Sequence, residues 1–170
     1  IGASLVAPEK IFFGVVGDLA MFYDMNVLGN RHIGNNIRIL VINNGIGQEF
    51  KNHGHRAAQF GQDTNPYIAA AGHFGNRSDT LLKGYCESLG FEYLTASNKK
   101  DALSALERFT CKEKTGKPML FEVFTSSEDE TEALKTLGSV EANASGEAKQ
   151  FVKNLLGDKG VSVIKQIIKK

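Results

Sequence analysis

The chain carries almost no surplus charge: 20 Lys and Arg stand against 19 Asp and Glu in 170 residues, a net charge of +1. So even a balance supplies no global field to gather nucleic acid or an acidic lipid surface, and neither is expected as a partner. Cysteine is scarce. Cys86 and Cys111 show no metal or redox spacing and are expected to be buried thiols of a reduced, cytoplasmic protein. No apolar run approaches the ~20 residues that span a bilayer, and no basic-then-apolar leader opens the sequence, so no membrane partner is expected. There is no internal repeat and no low-complexity tract. No initiator methionine is present, and IGASLVA reads as the tail of a helix, so the expectation is a piece excised from a longer chain. What remains, 42% hydrophobic and 23% charged residues, is ordinary for a globular domain with a real core.

The hydrophobic pattern alternates strand with helix. Residues 11–16 (IFFGVV) and 37–42 (IRILVI) are short, nearly continuous apolar runs of the kind buried on both faces of a parallel sheet. Between them, residues 20–33 read as a helix with Met21, Met25 and Leu28 on one face. Residues 45–66 lack periodicity and read as a long loop, a feature that is usually functional in a compact domain. A helix over 78–89 stopped by Gly90, a strand over 91–95, a helix over 99–112 with Ala102, Leu106 and Phe109 aligned, and a strand MLFEVF after Pro118 complete the pattern. Ser127 and Glu130 are spaced as a capping box for a helix to about Leu137. The order predicts an α/β fold: three layers, α/β/α, around a mainly parallel sheet. Residues 1–139 form the expected domain. Residues 140–170 hold the rest of a small, polar linker (138–147) and an amphipathic helical segment.

Chemistry concentrates where the first two strands end. Open parallel sheets bind ligands at the carboxyl ends of their strands. Asp18 follows the first strand and Asn43-Asn44 the second. The helix after Asp18 offers free N–H groups and a positive dipole end, which favour an anion such as phosphate. A carboxylate there would repel the anion unless a divalent cation lay between them. Carboxylate, amide and carbonyl oxygens are hard ligands suited to Mg²⁺ or Ca²⁺ shared with phosphate. Gly45-Ile46-Gly47 would let the backbone turn tightly beside it. The plainer readings are an N-cap for Asp18 and a turn for Asn-Asn-Gly, each common when met alone.

Gly17-Asp18, followed by Asn43-Asn44 with Asn44 26 positions after Asp18, resembles the signature of the diphosphate-binding domain of thiamine-diphosphate enzymes. GDL, FYDMN and NNGIGQEF are most similar to the menaquinone-pathway synthase group, which joins 2-oxoglutarate to isochorismate. The resemblance covers roughly residues 1–137 and is strongest over 17–50. It implies thiamine diphosphate and Mg²⁺ as cofactors, with Asp18, the side-chain oxygen of Asn44 and the main-chain carbonyl of Ile46 as metal ligands. Gly17, Leu19, Ala20 and Gly47 would line the cofactor, with N–H groups near Leu19 and Ala20 on the diphosphate. It implies 2-oxoacid decarboxylation and carboligation. The partner would be a pyrimidine-binding domain, upstream in the chain or on another subunit, which brings the activating glutamate. The full enzyme would be a homo-oligomer acting on a small 2-oxoacid, and this piece alone would be inactive. Departures are Leu19 and Ile46 where the wider superfamily favours Gly, a spacing about one residue short, and the HGH (53–55) and HFGNRSD (73–79) stretches.

Other readings stay open. Another thiamine-diphosphate decarboxylase, or a non-catalytic assembly domain with the same fold, would share these features. A nicotinamide-binding domain is disfavoured, because no G-x-G-x-x-G follows the first strand. His53, His55 and His73 could ligate a metal or meet a substrate, or be incidental loop residues. Arg56 could hold an anionic substrate, and Gln48 and Glu49 border the same crevice. Glu128-Asp129-Glu130 reads as a negative first helical turn, and Gly75-Asn76-Arg77 as a turn. The basic, amphipathic VSVIKQIIKK reads as a helix packing on another domain or on a partner subunit, ahead of the alternative of binding a membrane surface.

Overall fold

The computed structural model describes residues 1–52, 54–70 and 77–139. His53, His73, Gly75, Asn76 and everything from 140 on, including most of the expected linker and the whole amphipathic tail, lie outside the described residues.

Four strands form one sheet: β1 (Phe12–Gly17), β2 (Ile37–Asn43), β3 (Glu92–Ala96) and β4 (Met119–Phe124). Their order is β1-β2-β4-β3 and every pairing is parallel. Helices accompany them: α1 (Gly2–Val6), α2 (Asp18–Tyr23), α3 (Leu81–Ser88), α4 (Lys99–Phe109), and α5 over 127–139. The chain divides into two units, Ile1–Asp129 and Glu130–Lys170, and the division falls inside α5. The sheet and the site below belong to the first unit.

The near-continuous apolar strands behave as sheet interior because alternate side chains feed two separate cores. On one face Val41 and Leu120 meet Met21, Leu28, Leu82, Cys86 and Phe91, so α2, α3 and the turn after α2 cover that side. On the other, Met119 and Phe121 meet Ala96 and Phe109, with Ala102 and Ala105 of α4 packed against them. Helices on both faces of a parallel sheet make the expected three layers. Over β1 the second layer is thin: Phe13 and Val15 are 52% and 68% exposed.

Several expected details differ. The helix expected over 20–33 is α-helical only to Tyr23 and continues as a 3₁₀ segment, Met25–Gly29. The tighter bonds Val27 N–H to Asp24 O and Asn30 N–H to Val27 O take over, and the Asn30 side chain then accepts from His32 N–H. A short polar side chain competes with the helical ladder in this way. In α4, Leu106 is 41% exposed and Ala105 takes the inward position. The capping box of α5 is set one residue earlier: Ser126 Oγ accepts from Asp129 N–H at 3.1 Å and donates to the Asp129 carboxylate at 2.8 Å. Ser127 Oγ instead donates to Gln48 Oε1 at 2.6 Å. Cys86 is buried as expected, whereas Cys111 is only half-buried. No described helix is long and apolar enough to cross a membrane.

Candidate functional site at the strand ends

The parallel register sets Gly17 beside Ile42, so the residues just past these positions leave the sheet together. Asp18 is buried at 3% exposure as the first residue of α2. It is not the N-cap: Gly17 occupies that place. Asp18 Oδ1 accepts from its neighbour Leu19 N–H at 2.6 Å, while Oδ2 reaches across to Gly45 N–H at 2.6 Å. A simple cap would stay on its own helix; this carboxylate joins the end of β1 to the turn after β2.

That turn has three acceptors serving two donors. Asn44 Oδ1 accepts from Ile46 N–H at 2.9 Å, a local side-chain turn of the kind asparagine favours. Asn43 Oδ1 accepts from Gly45 N–H at 3.1 Å, so this one N–H is shared with Asp18. Gly45 has φ +86°, and a Cβ there would lie 3.2 Å from Arg77 Cβ, so only glycine fits easily. Gly47 is required by contact: an added Cβ would sit 2.6 Å from Leu19 Cδ2 and 2.8 Å from the Phe50 ring. Ile46 bridges antiparallel to Ala69, through Gly47 N–H to Ile68 O at 2.8 Å and Ala70 N–H to Gly45 O at 2.9 Å. Extended backbone alternates its polar groups. The Ile46 carbonyl therefore lies on the edge away from the bridge, the edge of Asn44 Oδ1.

Beneath the turn lies a buried polar line that sequence reasoning missed. Asn43 Nδ2 donates to Glu122 Oε1 at 2.6 Å, and Tyr93 OH donates to Glu122 Oε2 at 2.6 Å. Asn43 and Glu122 are fully buried. Burial pushes the Glu122 carboxyl up from its ordinary range, and the Tyr93 and Asn43 bonds pull it back. Burial and the Glu122 bond raise the Tyr93 hydroxyl, which keeps it a proton donor. Arg77 clamps the other side of the turn. Its Nη1 donates to Asn43 O at 3.2 Å and Thr125 O at 2.7 Å, and the guanidinium lies 5.0 Å from the centre of the Phe124 ring. A Glu inside the apolar run MLFEVF was the available signal, since a buried carboxylate demands partners.

The structure thus brings Gly17, Asp18, Leu19, Asn44, Ile46 and Gly47 into one neighbourhood, with Ala20 in the first turn of α2. Asp18 is the single ionisable ligand of the expected set, and no group of three His, Cys, Asp or Glu among the described residues could hold a metal. The residues expected to form a long loop fold as 3₁₀ segments, Gln48–Lys51 and Arg56–Tyr67, the second broken at Gly61. His55 caps the second one: its Nδ1 accepts from Ala57 N–H at 3.1 Å and its ring meets Phe50 edge-on. Gln48 is engaged with Ser127, while Glu49 and Arg56 are exposed.

A parallel sheet with helices on both faces, whose first two strand ends carry a buried carboxylate, an amide oxygen and a glycine turn, defines an α/β domain of the three-layer type. Comparison with curated proteins says which kind. The chain is 36% identical over 129 residues to the 2-succinyl-5-enolpyruvyl-6-hydroxy-3-cyclohexene-1-carboxylate (SEPHCHC) synthase of Bacteroides fragilis strain YCH46, covering 76% of this chain. It is 37% identical over 129 residues to that of Phocaeicola vulgatus, and 35% over 127 residues to that of Bacteroides thetaiotaomicron. The chain spans about a fifth of these relatives' length, 21% to 22%. No family model matches the chain. The chain is therefore kin to one segment of the SEPHCHC synthases.

Proposed function

We propose that this chain is the diphosphate- and Mg²⁺-binding part of a thiamine-diphosphate carboligase of the SEPHCHC synthase kind, acting on a 2-oxoacid and an acceptor. The observation that carries the reading is Asp18 Oδ2 on Gly45 N–H at 2.6 Å, which holds the two strand ends as one unit. The relatives' name supports the choice of reaction.

The residues present fit the group. Asp18 would supply the charged oxygen, Asn44 Oδ1 and the Ile46 carbonyl the neutral ones, a hard-oxygen set suited to Mg²⁺. Asn44 Oδ1 accepts one hydrogen bond, from Ile46 N–H, and an amide oxygen carries a second lone pair. Gly17, Leu19, Ala20 and Gly47 would line the diphosphate, where the lack of a Cβ at Gly47 leaves room for Leu19. Once bound, thiamine diphosphate supplies carbanion stabilisation. This chain's residues bind and orient its tail. Asp18 would offset part of the ion's charge, and it fixes the turn through Gly45 N–H. Leu19 and Phe50, packed against Gly47, present an apolar wall beside it. No catalytic acid or base is assigned in this chain; the activating glutamate and the pyrimidine pocket belong to a further domain, so the chain by itself would bind the cofactor weakly and not turn over.

The test is calorimetric titration of thiamine diphosphate, with and without Mg²⁺, into the full-length protein carrying this sequence. Asp18→Ala should weaken Mg²⁺-dependent binding about 100-fold or more. Binding within twofold of the unsubstituted protein would overturn the reading, and turnover by the 170-residue chain alone would overturn its dependence on another domain.

A further inference from the structure

The polar groups under the site form one unbroken path across the sheet. Tyr93 OH on β3 donates to Glu122 on β4; Glu122 accepts from the Asn43 amide on β2; Asn43 Oδ1 accepts from Gly45 N–H; and that same N–H is held by Asp18 at the end of β1. The path follows the strand order β3-β4-β2-β1, one residue per strand. Its interior members are sealed from water: Asn43 and Glu122 are 0% exposed and Asp18 3%.

The shared Gly45 N–H is the informative feature. A ligand that draws on Asp18 Oδ2 competes with that N–H for the oxygen. Without a second acceptor, a buried donor would be stranded, which is unfavourable. Asn43 Oδ1, already 3.1 Å away, is that second acceptor. It serves only if the Asn43 amide keeps its oxygen toward Gly45. An amide turned over would face Gly45 N–H with its own N–H groups. Glu122 forbids the turned state, since its Oε1 accepts from Nδ2 and would repel Oδ1. Arg77 and Thr125 N–H hold the Asn43 carbonyl, at 3.2 and 3.0 Å, so the backbone cannot swing to compensate.

We propose that Glu122 is a positioning residue for the Asp18 site: by locking the orientation of the Asn43 amide it lets Gly45 N–H pass from Asp18 to Asn43 when Asp18 turns an oxygen to a hard cation. The inference rests on the metal–diphosphate reading above. It assigns to a residue in the sheet interior a share of cation affinity, not of the chemistry.

Glu122→Gln tests it. Glutamine has the same shape but can present either an oxygen or an NH₂ to Asn43, so it permits both amide orientations. In the full-length protein, calorimetric titration of Mg²⁺ at saturating thiamine diphosphate should give a Kd raised about tenfold for Glu122→Gln. The thermal midpoint of the cofactor-free protein is measured alongside. Asn98→Ala is the control. Asn98 caps α4 through Asp101 N–H at 3.0 Å, so its loss lowers the thermal midpoint from a place away from the site and should leave the Mg²⁺ Kd within twofold. Equal shifts in Kd for the two variants would reduce Glu122 to a structural residue and overturn the proposal. So would an unchanged Kd for Glu122→Gln beside a loss of binding for Asp18→Ala, which would leave the reading of the site standing. Unchanged binding for Asp18→Ala would overturn that reading and this inference together. Should Glu122→Gln lose its native circular dichroism, Asn43→Ser, which withdraws the acceptor from Gly45, carries the test with the same expected shift and the same overturning result.

Discussion

Strand β2 buries a polar side chain near each end, and the two are held in opposite ways. Near its amino end, Arg38 is fully buried and gives its donors to main-chain oxygens: Phe109 O at 2.6 Å, Cys111 O at 2.5 Å and Glu113 O at 2.7 Å. These carbonyls close the end of α4, where a helix leaves acceptors unpaired and welcomes a cation. The guanidinium also lies 5.5 Å from the centre of the Phe13 ring, and only its Nε has no partner. At the carboxyl end, Asn43 bonds side chain to side chain with Glu122 and shares a donor with Asp18. One arrangement ties a helix to the sheet. The other ends in oxygens at the mouth of a turn. Burial of a polar group is therefore no sign of function by itself; what separates the two is the kind of partner and the end of the sheet it faces.

Substitutions can break that contrast. The largest effect on stability should come from Arg38→Met, which keeps the apolar stem but strands the buried Phe109 carbonyl and takes the donor from those of Cys111 and Glu113. It should cost about 3 kcal/mol and lower the thermal midpoint by roughly 10 °C, with Mg²⁺ affinity unchanged in the protein that remains folded. A parallel loss of cofactor affinity would show that the two ends are coupled. Gly47→Ala is the converse. The new methyl collides with Leu19 and the Phe50 ring, so about 1–3 kcal/mol is expected from overpacking, together with a severalfold weaker thiamine diphosphate Kd by calorimetry. Loss of stability without loss of affinity would detach Gly47 from the site. The smallest effect is chemical. Cys111 is half-buried and its Sγ lies 3.3 Å from Arg38 Nη2, whereas Cys86 is sealed in the core and burial raises its thiol to about 11. A thiol reagent at pH 8 should modify Cys111 well before Cys86, as read by mass spectrometry of the native protein; equal rates would mean that the core around Cys86 opens readily.

Much of the layout was legible because hydrophobic period is a local property. The runs at 11–16, 37–42 and 119–124 read as strands buried on both faces; each became a strand within a residue or so, although β1 leaves Phe13 and Val15 exposed on one face. Asp18, Asn44 and the glycines were legible because their spacing places them at two strand ends. Helix termini were read less well. Whether Ser126 or Ser127 caps α5 depends on where Gln48 lies, and it holds Ser127. Leu106 and Ala105 exchanged roles for a similar reason: helical spacing alone does not say how closely α4 approaches the sheet.

By itself, then, the chain's order of residues determined an alternating fold and the oxygen donors left at its first two strand ends, because periodicity and spacing act over a few residues. Tertiary structure alone decided that Asn43 shares Gly45 N–H with Asp18, that Glu122 and Tyr93 stand behind it, and that Arg38 serves α4. The physical reason is pairing. A buried polar group must find a partner, and for Glu122 that partner lies 79 residues away in the chain, on a strand that the sheet order β1-β2-β4-β3 makes its neighbour and the chain order does not announce.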